Sequence, residues 1–328
     1  KITGTDGAFS ATASLSAKPQ SYYGCNNVAP IVSGNMILFV QDGGSIVRDL
    51  GYTYISDSYD GKELTIFASH LFENKQIIDW AYSKEPNRII WAVMSDGTMN
   101  SLTYNPQQEV MGWTQHETDG YFESVAVVRE GYEDVPYFVV RRTINGVTKR
   151  FIERMASRFV SDAKDGFFVD CGLRYDGAPT LTVSGLDHLN GEEVIILADG
   201  GVVEGKTVSG GSITLDTEAS KVIVGLPYEF ELETLSFEGE NTLGKTRSIN
   251  NVSMKIDKSR PDFFITGADG VDYAIPRTLE SINDAGLLFN GKVETAVVSM
   301  PDEEATVKIK QKYPLPLTIL SITAEITM

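Results

Sequence analysis

Cysteine, histidine and tryptophan are scarce in this chain: its 328 residues hold two, three and three of them. Cys25 and Cys171 lie far apart, with no CxxC or Cys/His spacing beside them. A disulfide framework or a zinc site needs more ligands at closer spacing, so both are expected as free, buried thiols assembled in a reducing compartment. His70, His116 and His188 show no HxH or HExxH pattern and read as solvated or core residues; no metal and no cofactor is expected. No apolar run approaches the roughly 20 residues of a membrane-spanning helix, and stable membrane insertion is not expected. Basic residues are also in deficit, 28 Lys+Arg against 45 Asp+Glu, for a net charge of −17. Such a chain repels nucleic acid overall, although a local basic patch is compatible with it. The first residue is Lys1, with no charged and apolar leader behind it, so the chain reads as a processed product or a fragment.

What is present is an ordinary globular composition, 42% hydrophobic and 22% charged, at a length that fits two domains or one large all-β body. Residues 1–30 are rich in Ser, Ala, Gly and Thr and read as an extended lead-in that Pro30 closes. Short strands then follow one another. Met36–Gln41 and Ser45–Tyr52 flank an Asp42-Gly43-Gly44 turn and form a hairpin. In the next segment Leu64, Phe67, Ala68, Leu71 and Phe72 recur at helical spacing. Asp60 and Glu63 resemble a capping box, so one short helix is expected at about 61–73. Strands resume at Ile77–Tyr82, Arg88–Met94, Met99–Asn105, Val110–Glu117, Phe122–Glu130, Pro136–Ile144 and Val147–Met155, with Asn145-Gly146 as a two-residue hairpin turn.

Antiparallel runs opening at Ile77 and Phe122 recur at about 45 residues, the period of a β-propeller blade. A plain meander or sandwich produces similar spacing, and a closed propeller usually needs about 4–8 blades, so only part of one is expected, with more chain upstream. The fold expected is therefore all-β: an incomplete propeller-like domain at 31–156, a hinge at 157–166, a small β-barrel-like domain at 167–230, and a further β-rich domain at 231–328.

The same reading finds little chemistry. Ser184, Asp187 and His188 crowd within five residues, whereas a catalytic relay is assembled through space from separated loops. The loops Gly4–Gly7, Asp199–Gly201 and Gly267–Gly270 lack the P-loop ending and the EF-hand spacing and read as hairpin turns. Asp302-Glu303-Glu304, and Asp162 with Asp165, are candidate paired carboxylates that read better as solvated acids. Trp80, Trp91 and Trp113 resemble a sugar-stacking set, but two of them sit in apolar strands and are expected to pack. The basic run Arg141-Arg142…Lys149-Arg150 is expected to meet acidic faces of neighbouring subunits rather than DNA. No catalytic, cofactor-binding or metal residue is assigned.

The stretch from Met36 to Met155, and the closing PLPLTILSITAEI, resemble tail proteins of phages and prophages. The likeness is densest over Leu71–Trp113, in the strings Glu85-Pro86-Asn87-Arg88-Ile89-Ile90-Trp91 and Tyr104-Asn105-Pro106-Gln107-Gln108-Glu109-Val110-Met111-Gly112-Trp113. The family is that of the nozzle, or tail tubular protein B, of short-tailed phages, including the packaged-DNA stabilisation hub. The resemblance implies a non-enzymatic virion structural protein, forming a homo-oligomeric ring, commonly a hexamer, in the tail, with residues 231–328 as its β-rich platform or nozzle domain. Its partners would be the adaptor or portal proteins and the fibres or spikes. Its channel would retain packaged DNA and conduct it during ejection without specific binding. The alternative, from another class, is a carbohydrate-binding or carbohydrate-cleaving phage tail module, which needs groups such as Asp119 and Glu123 to converge with Trp113.

Overall fold

The computed structural model describes residues 2–4, 14–17, 22–54, 58–237, 245–275, 287–298, 300–301 and 304–327. It is all-β, and its helical segments are short 3-10 turns. The chain divides into two compact units, residues 1–143 with 148–155, and residues 144–147 with 156–328.

The first unit is built from consecutive antiparallel meanders. A hairpin of β1 (Ile2–Gly4) and β2 (Leu15–Ala17) lies within the expected lead-in. The first four-stranded sheet is β3 (Ile31–Ser33), β4 (Met36–Val40), β5 (Val47–Thr53) and β6 (Ser58–Asp60), in that order. The second is β7 (Ile77–Ser83), β8 (Ile89–Met94), β9 (Met99–Asn105) and β10 (Val110–His116), again in chain order. The third has three strands, β11 (Tyr121–Glu130), β12 (Glu133–Ile144) and β13 (Val147–Arg154). Asn145 and Gly146 both take positive φ, 49° and 74°, as a two-residue hairpin turn between twisted strands requires.

β8 explains why these sheets stack. All six of its residues are buried. Side chains alternate across a strand. Ile90, Ala92 and Met94 therefore join Leu38, Val40 and Val47 of the first sheet in one core. Ile89, Trp91 and Val93 join Phe122, Val125, Phe138 and Val140 of the third sheet in another. The second sheet is thus covered on both faces. Polar clamps fix the first contact. Tyr104 Oη donates to Asp49 Oδ2 at 2.9 Å, Tyr82 Oη and Ser33 Oγ lie 2.9 Å apart, and Trp80 Nε1 donates to the Ala29 carbonyl at 2.6 Å.

The expected helix is shorter and of another kind. A 3-10 turn covers Ile66–Phe72 and is broken at Ala68, whose φ is −127°. The Asp60/Glu63 box does not form: Asp60 accepts from the Gly61 N–H, Glu63 pairs with Arg48, and the residue before the turn is Thr65. Leu64, Ala68, Leu71 and Phe72 do face the core, but Phe67 is 87% exposed. The tighter three-residue period carries it off the apolar stripe. Cys25 is also exposed, against the expected burial, and Cys171 is half-buried; neither forms a disulfide.

In the second unit, β14 (Asp170–Ser184), β15 (Glu193–Ala198), β16 (Gly201–Thr207) and β17 (Ser212–Leu226) form a sheet in the order β14-β17-β15-β16. The expected barrel is not closed: β14 and β16 are the sheet's two edges, and no pairing joins them among the described residues. Closure is replaced by burial of both faces. Ile196, Val222 and Val224 lie in one core, and Ile195, Leu197 and Ile223 lie in another with Leu315. The remaining strands form a sandwich. One sheet is β18 (Phe230–Glu233), β23 (Lys308–Gln311), β20 (Phe264–Thr266) and β21 (Asp272–Ala274); the other is β22 (Phe289–Ala296), β19 (Ser248–Ser259) and β24 (Ile319–Thr327). Val252, Met254, Ile256, Ile265 and Ile309 fill the space between them.

Candidate functional site

The first unit carries an open groove of about 710 Å³, bounded by the β4–β5 turn and the segment from Glu63 to Gln76. It arises because the broken 3-10 turn packs its apolar side inward and leaves Ser69, His70, Glu73 and Asn74 on the groove side. Its charged groups are mostly committed. Glu63 receives Arg48 Nη2 at 3.1 Å, and Lys75 Nζ lies 2.8 Å from Asp96 Oδ2. Burial raises the Asp96 carboxyl, but hydrogen bonds from Lys75 and Thr98 outweigh it and hold the group below the usual carboxylate range. The floor includes Phe72, which is buried, and Thr65, whose hydroxyl is buried and without a hydrogen-bond partner. Hydroxyls, amides, an imidazole and carboxylates line this groove, and they suit a polar, uncharged ligand better than an ionic one.

The tryptophans do not form a platform. Trp80 and Trp91 are buried, and Trp91 Nε1 donates to Ser83 Oγ at 3.0 Å. Trp113 Nε1 donates to the Leu64 carbonyl at 2.8 Å, and its ring stands edge-on to Phe72 at 4.8 Å. Trp113 therefore belongs to the core between the first two sheets, while Glu123 sits on the third sheet in the grip of Arg141 and Arg150. Asp119 contributes its carbonyl to Arg142. The convergence of Trp113 with Asp119 and Glu123 required for sugar cleavage is not brought together.

The other candidates are placed as follows. His188 Nε2 lies 3.0 Å from the Cys171 carbonyl, not on Ser184. His116 Nε2 lies 2.7 Å from Ser101 Oγ, a pairing that could suggest an activated nucleophile. Ser101 is only 7% exposed in the middle of a sheet, where no substrate carbonyl can reach it, so the pair satisfies a buried hydroxyl. Asp162 pairs with Lys164 and Asp165 with Lys221, each carboxylate with its own cation. Asp199 accepts the Ser220 and Lys221 N–H groups, and Asp269 accepts Val271 N–H and Tyr273 Oη, which makes both loops turn anchors. Residues 5–7 of the first Gly loop, with Asp302 and Glu303, lie outside the described residues. Among the described residues no three His, Cys, Asp or Glu side chains cluster in a way that could hold a metal ion.

The basic run is neutralised within its own sheet. Arg141 and Arg150 both hold Glu123, at 3.1 and 2.5 Å. Arg142 is 1% exposed; its Nε and Nη2 donate to Glu153 at 2.6 and 2.7 Å, and its Nη1 donates to the Asp119 carbonyl at 2.7 Å. Lys149, the fourth of the run, is exposed. The buried pair was missed at the level of sequence, although the alternation Phe138, Val140, Arg142 already points Arg142 inward.

Comparison with known proteins gives no match to any protein-family model and no match to any curated protein.

Proposed function

We propose that this chain is a structural virion protein, a subunit of the tail nozzle ring of a short-tailed phage. The observation that carries the reading is the stack of meander sheets. The segment in which the resemblance is densest folds as β7–β10, the sheet whose central strand β8 is buried from both sides. The side chains there with most chemical capability, Trp80, Trp91, Trp113 and Tyr104, spend their polar atoms on clamps inside and between sheets. This is the economy of a scaffold. In the ring the chain would meet adaptor or portal proteins and fibres or spikes, close the tail channel over packaged DNA, and conduct it at ejection. A net charge of −17 suits a conduit through which a polyanion must slide without sticking.

The test is electron microscopy of the purified chain with light-scattering mass. Rotationally symmetric rings of about six copies are expected. A 35.9 kDa monomer at every concentration up to tens of micromolar overturns the reading.

The polar groove beside His70 and Glu73 favours a second reading, a host-glycan-binding tail module. Titration of the chain with an oligosaccharide panel, followed by chemical shifts, tests it. Shifts confined to the groove and abolished by Glu73→Ala would support it, and an unresponsive spectrum would sink it.

A further inference from the structure

The strand β24 closes the described chain as an open sheet edge. In the order β22-β19-β24, neither β22 nor β24 has a further strand partner among the described residues. Exposed edges present unpaired N–H and C=O groups and are normally blunted by lysine, proline or shortness. β13 carries Lys149, Arg150 and Arg154; β14 carries Pro179 and three register shifts; β3, β6, β18 and β21 have three or four residues. β24 has nine residues, no lysine, arginine or proline, and one charge, Glu325. A strand of that length, rich in β-branched residues and with a single charge, is built to be paired.

The register shows what fits it. On the core face the rows run Val293–Met254–Ile322 and Thr295–Val252–Ala324. Met254 and Val252 are 1% and 0% exposed, whereas Ile322 and Ala324 are only half-buried, so the apolar layer stops one strand short of cover. On the wet face the rows run Lys292–Lys255–Ser321, Glu294–Ser253–Thr323 and Ala296–Asn251–Glu325. If β22 of a second copy lies beside β24 at the same level, Lys292 meets Ser321, Glu294 meets Thr323 and Ala296 meets Glu325. No charge meets its own sign, and Val293 and Thr295 extend the core face over Ile322 and Ala324.

We propose that the outer edge of β24 pairs with the outer edge of β22 of a neighbouring copy, so that the three-stranded sheets join into one continuous sheet around the ring. This rests on the ring reading above. β22 and β24 are each antiparallel to β19 and hence parallel to one another, and rotation about a ring axis preserves strand direction. The seam is therefore parallel and heterologous, and it leaves no edge of this sheet open once the ring closes. A two-fold β24–β24 pairing would leave both β22 edges bare.

The test is disulfide trapping in the full chain, with Cys25→Ser and Cys171→Ser as background. Thr323→Cys is combined in turn with Lys292→Cys, Glu294→Cys and Ala296→Cys, all at exposed positions. Within one copy β22 and β24 are two strand spacings apart, about 9.5 Å, beyond the roughly 7 Å that a disulfide spans, so a cross-link can form only between copies. The expected result, under mild oxidation, is a ladder of covalent multimers beyond the dimer from at least one pair, and none from the Glu294→Cys variant alone. A ladder that stops at dimer and also arises from Thr323→Cys alone means two-fold pairing and overturns the seam. Rings in the microscope without cross-links from any pair overturn the seam and leave the nozzle reading standing. The absence of rings and of cross-links overturns both.

Discussion

Glu153→Gln removes the counter-ion of Arg142 while keeping the side-chain shape. The guanidinium is 1% exposed, and its two bonds to Glu153, 2.6 and 2.7 Å, are the bidentate geometry in which a charge can be held away from water. Deleting one member of a buried pair costs about 3–5 kcal/mol, because the remaining charge stays desolvated. Glu153 keeps 20% exposure, so water reaches part of the site and the lower end, about 3 kcal/mol, applies. All three tryptophans lie in the second sheet, so fluorescence during urea unfolding reports the first unit. With a slope of about 2–3 kcal/mol per molar urea, the midpoint should fall by about 1–1.5 M. The variant Arg142→Met with Glu153→Leu removes both charges and should recover at least half of that loss, since an apolar pair often replaces a buried ion pair at no net cost. A single variant that loses less than about 1 kcal/mol, or a double variant that loses as much as the single, would refute the reasoning.

Three further outcomes are expected. Hydrogen bonds from Arg150, then the charge of Arg150 and the bond from Arg141, hold the Glu123 carboxyl below its ordinary 4.5; Arg154 and Tyr137 do the same for Glu130. A depressed folded value gives stability that is present above the unfolded value and lost as pH falls through the folded one. Acid unfolding of the first unit should thus set in below pH 4.5, and Arg150→Gln should move its fluorescence midpoint upward; an unmoved midpoint would discount the Glu123 pairing. Thiol titration of the native chain should show one fast group, Cys25, and one slower, Cys171; equal rates would contradict the exposures. Gly61→Ala would bring a Cβ to 1.8 Å from the Asp49 carbonyl oxygen, a backbone atom that the β5 pairing holds, so the first unit should fail to fold, read as loss of the cooperative fluorescence transition.

The sheets were legible because strand boundaries follow local signals. Met99–Asn105 was placed to the residue, and Asn145-Gly146 fixed a hairpin by the sign of φ that only such residues tolerate. The burial of β8 on both faces is equally visible in its unbroken apolar run. What failed were features decided by distant partners. Leu64 to Phe72 has helical spacing, but Arg48 takes Glu63 and Trp113 takes the Leu64 carbonyl, and the segment tightens into a kinked 3-10 turn. Cys25 has the composition of a buried thiol and no neighbour to bury it. The 167–226 segment has barrel-length strands, yet β15 and β17 are covered from both faces, so curling it shut would gain little. The groove beside His70 was not legible, because it exists only where a loop and a kinked turn from separate parts of the sequence meet.

The two ends of the three-sheet stack differ in what they ask of their surroundings. On the first sheet the outward row is Val32–Ile37–Leu50, followed by Tyr52 against Tyr59, and Val32, Ile37 and Tyr52 are 64%, 38% and 47% exposed. On the third, the outward row is ionised and paired: Glu123 with Arg141 and Arg150, and Glu130 with Tyr137 and Arg154. Apolar area left in water costs about 25 cal/mol per Å², whereas a ladder of paired charges is at ease there. Packing a sheet against the first face would recover free energy. Packing one against the third would strip water from at least five charged groups before any contact formed. A ring of blades closed by like apolar faces needs both ends to be greasy. On β11–β13 the continuous apolar layer lies on the side of Phe138 and Val140, which the second sheet already occupies, while Val128 and Ile152, 49% and 79% exposed, stand among the paired charges of the outward face. The first face therefore favours a further packed layer, whereas the third favours solvent or a partner that leaves its paired charges wet.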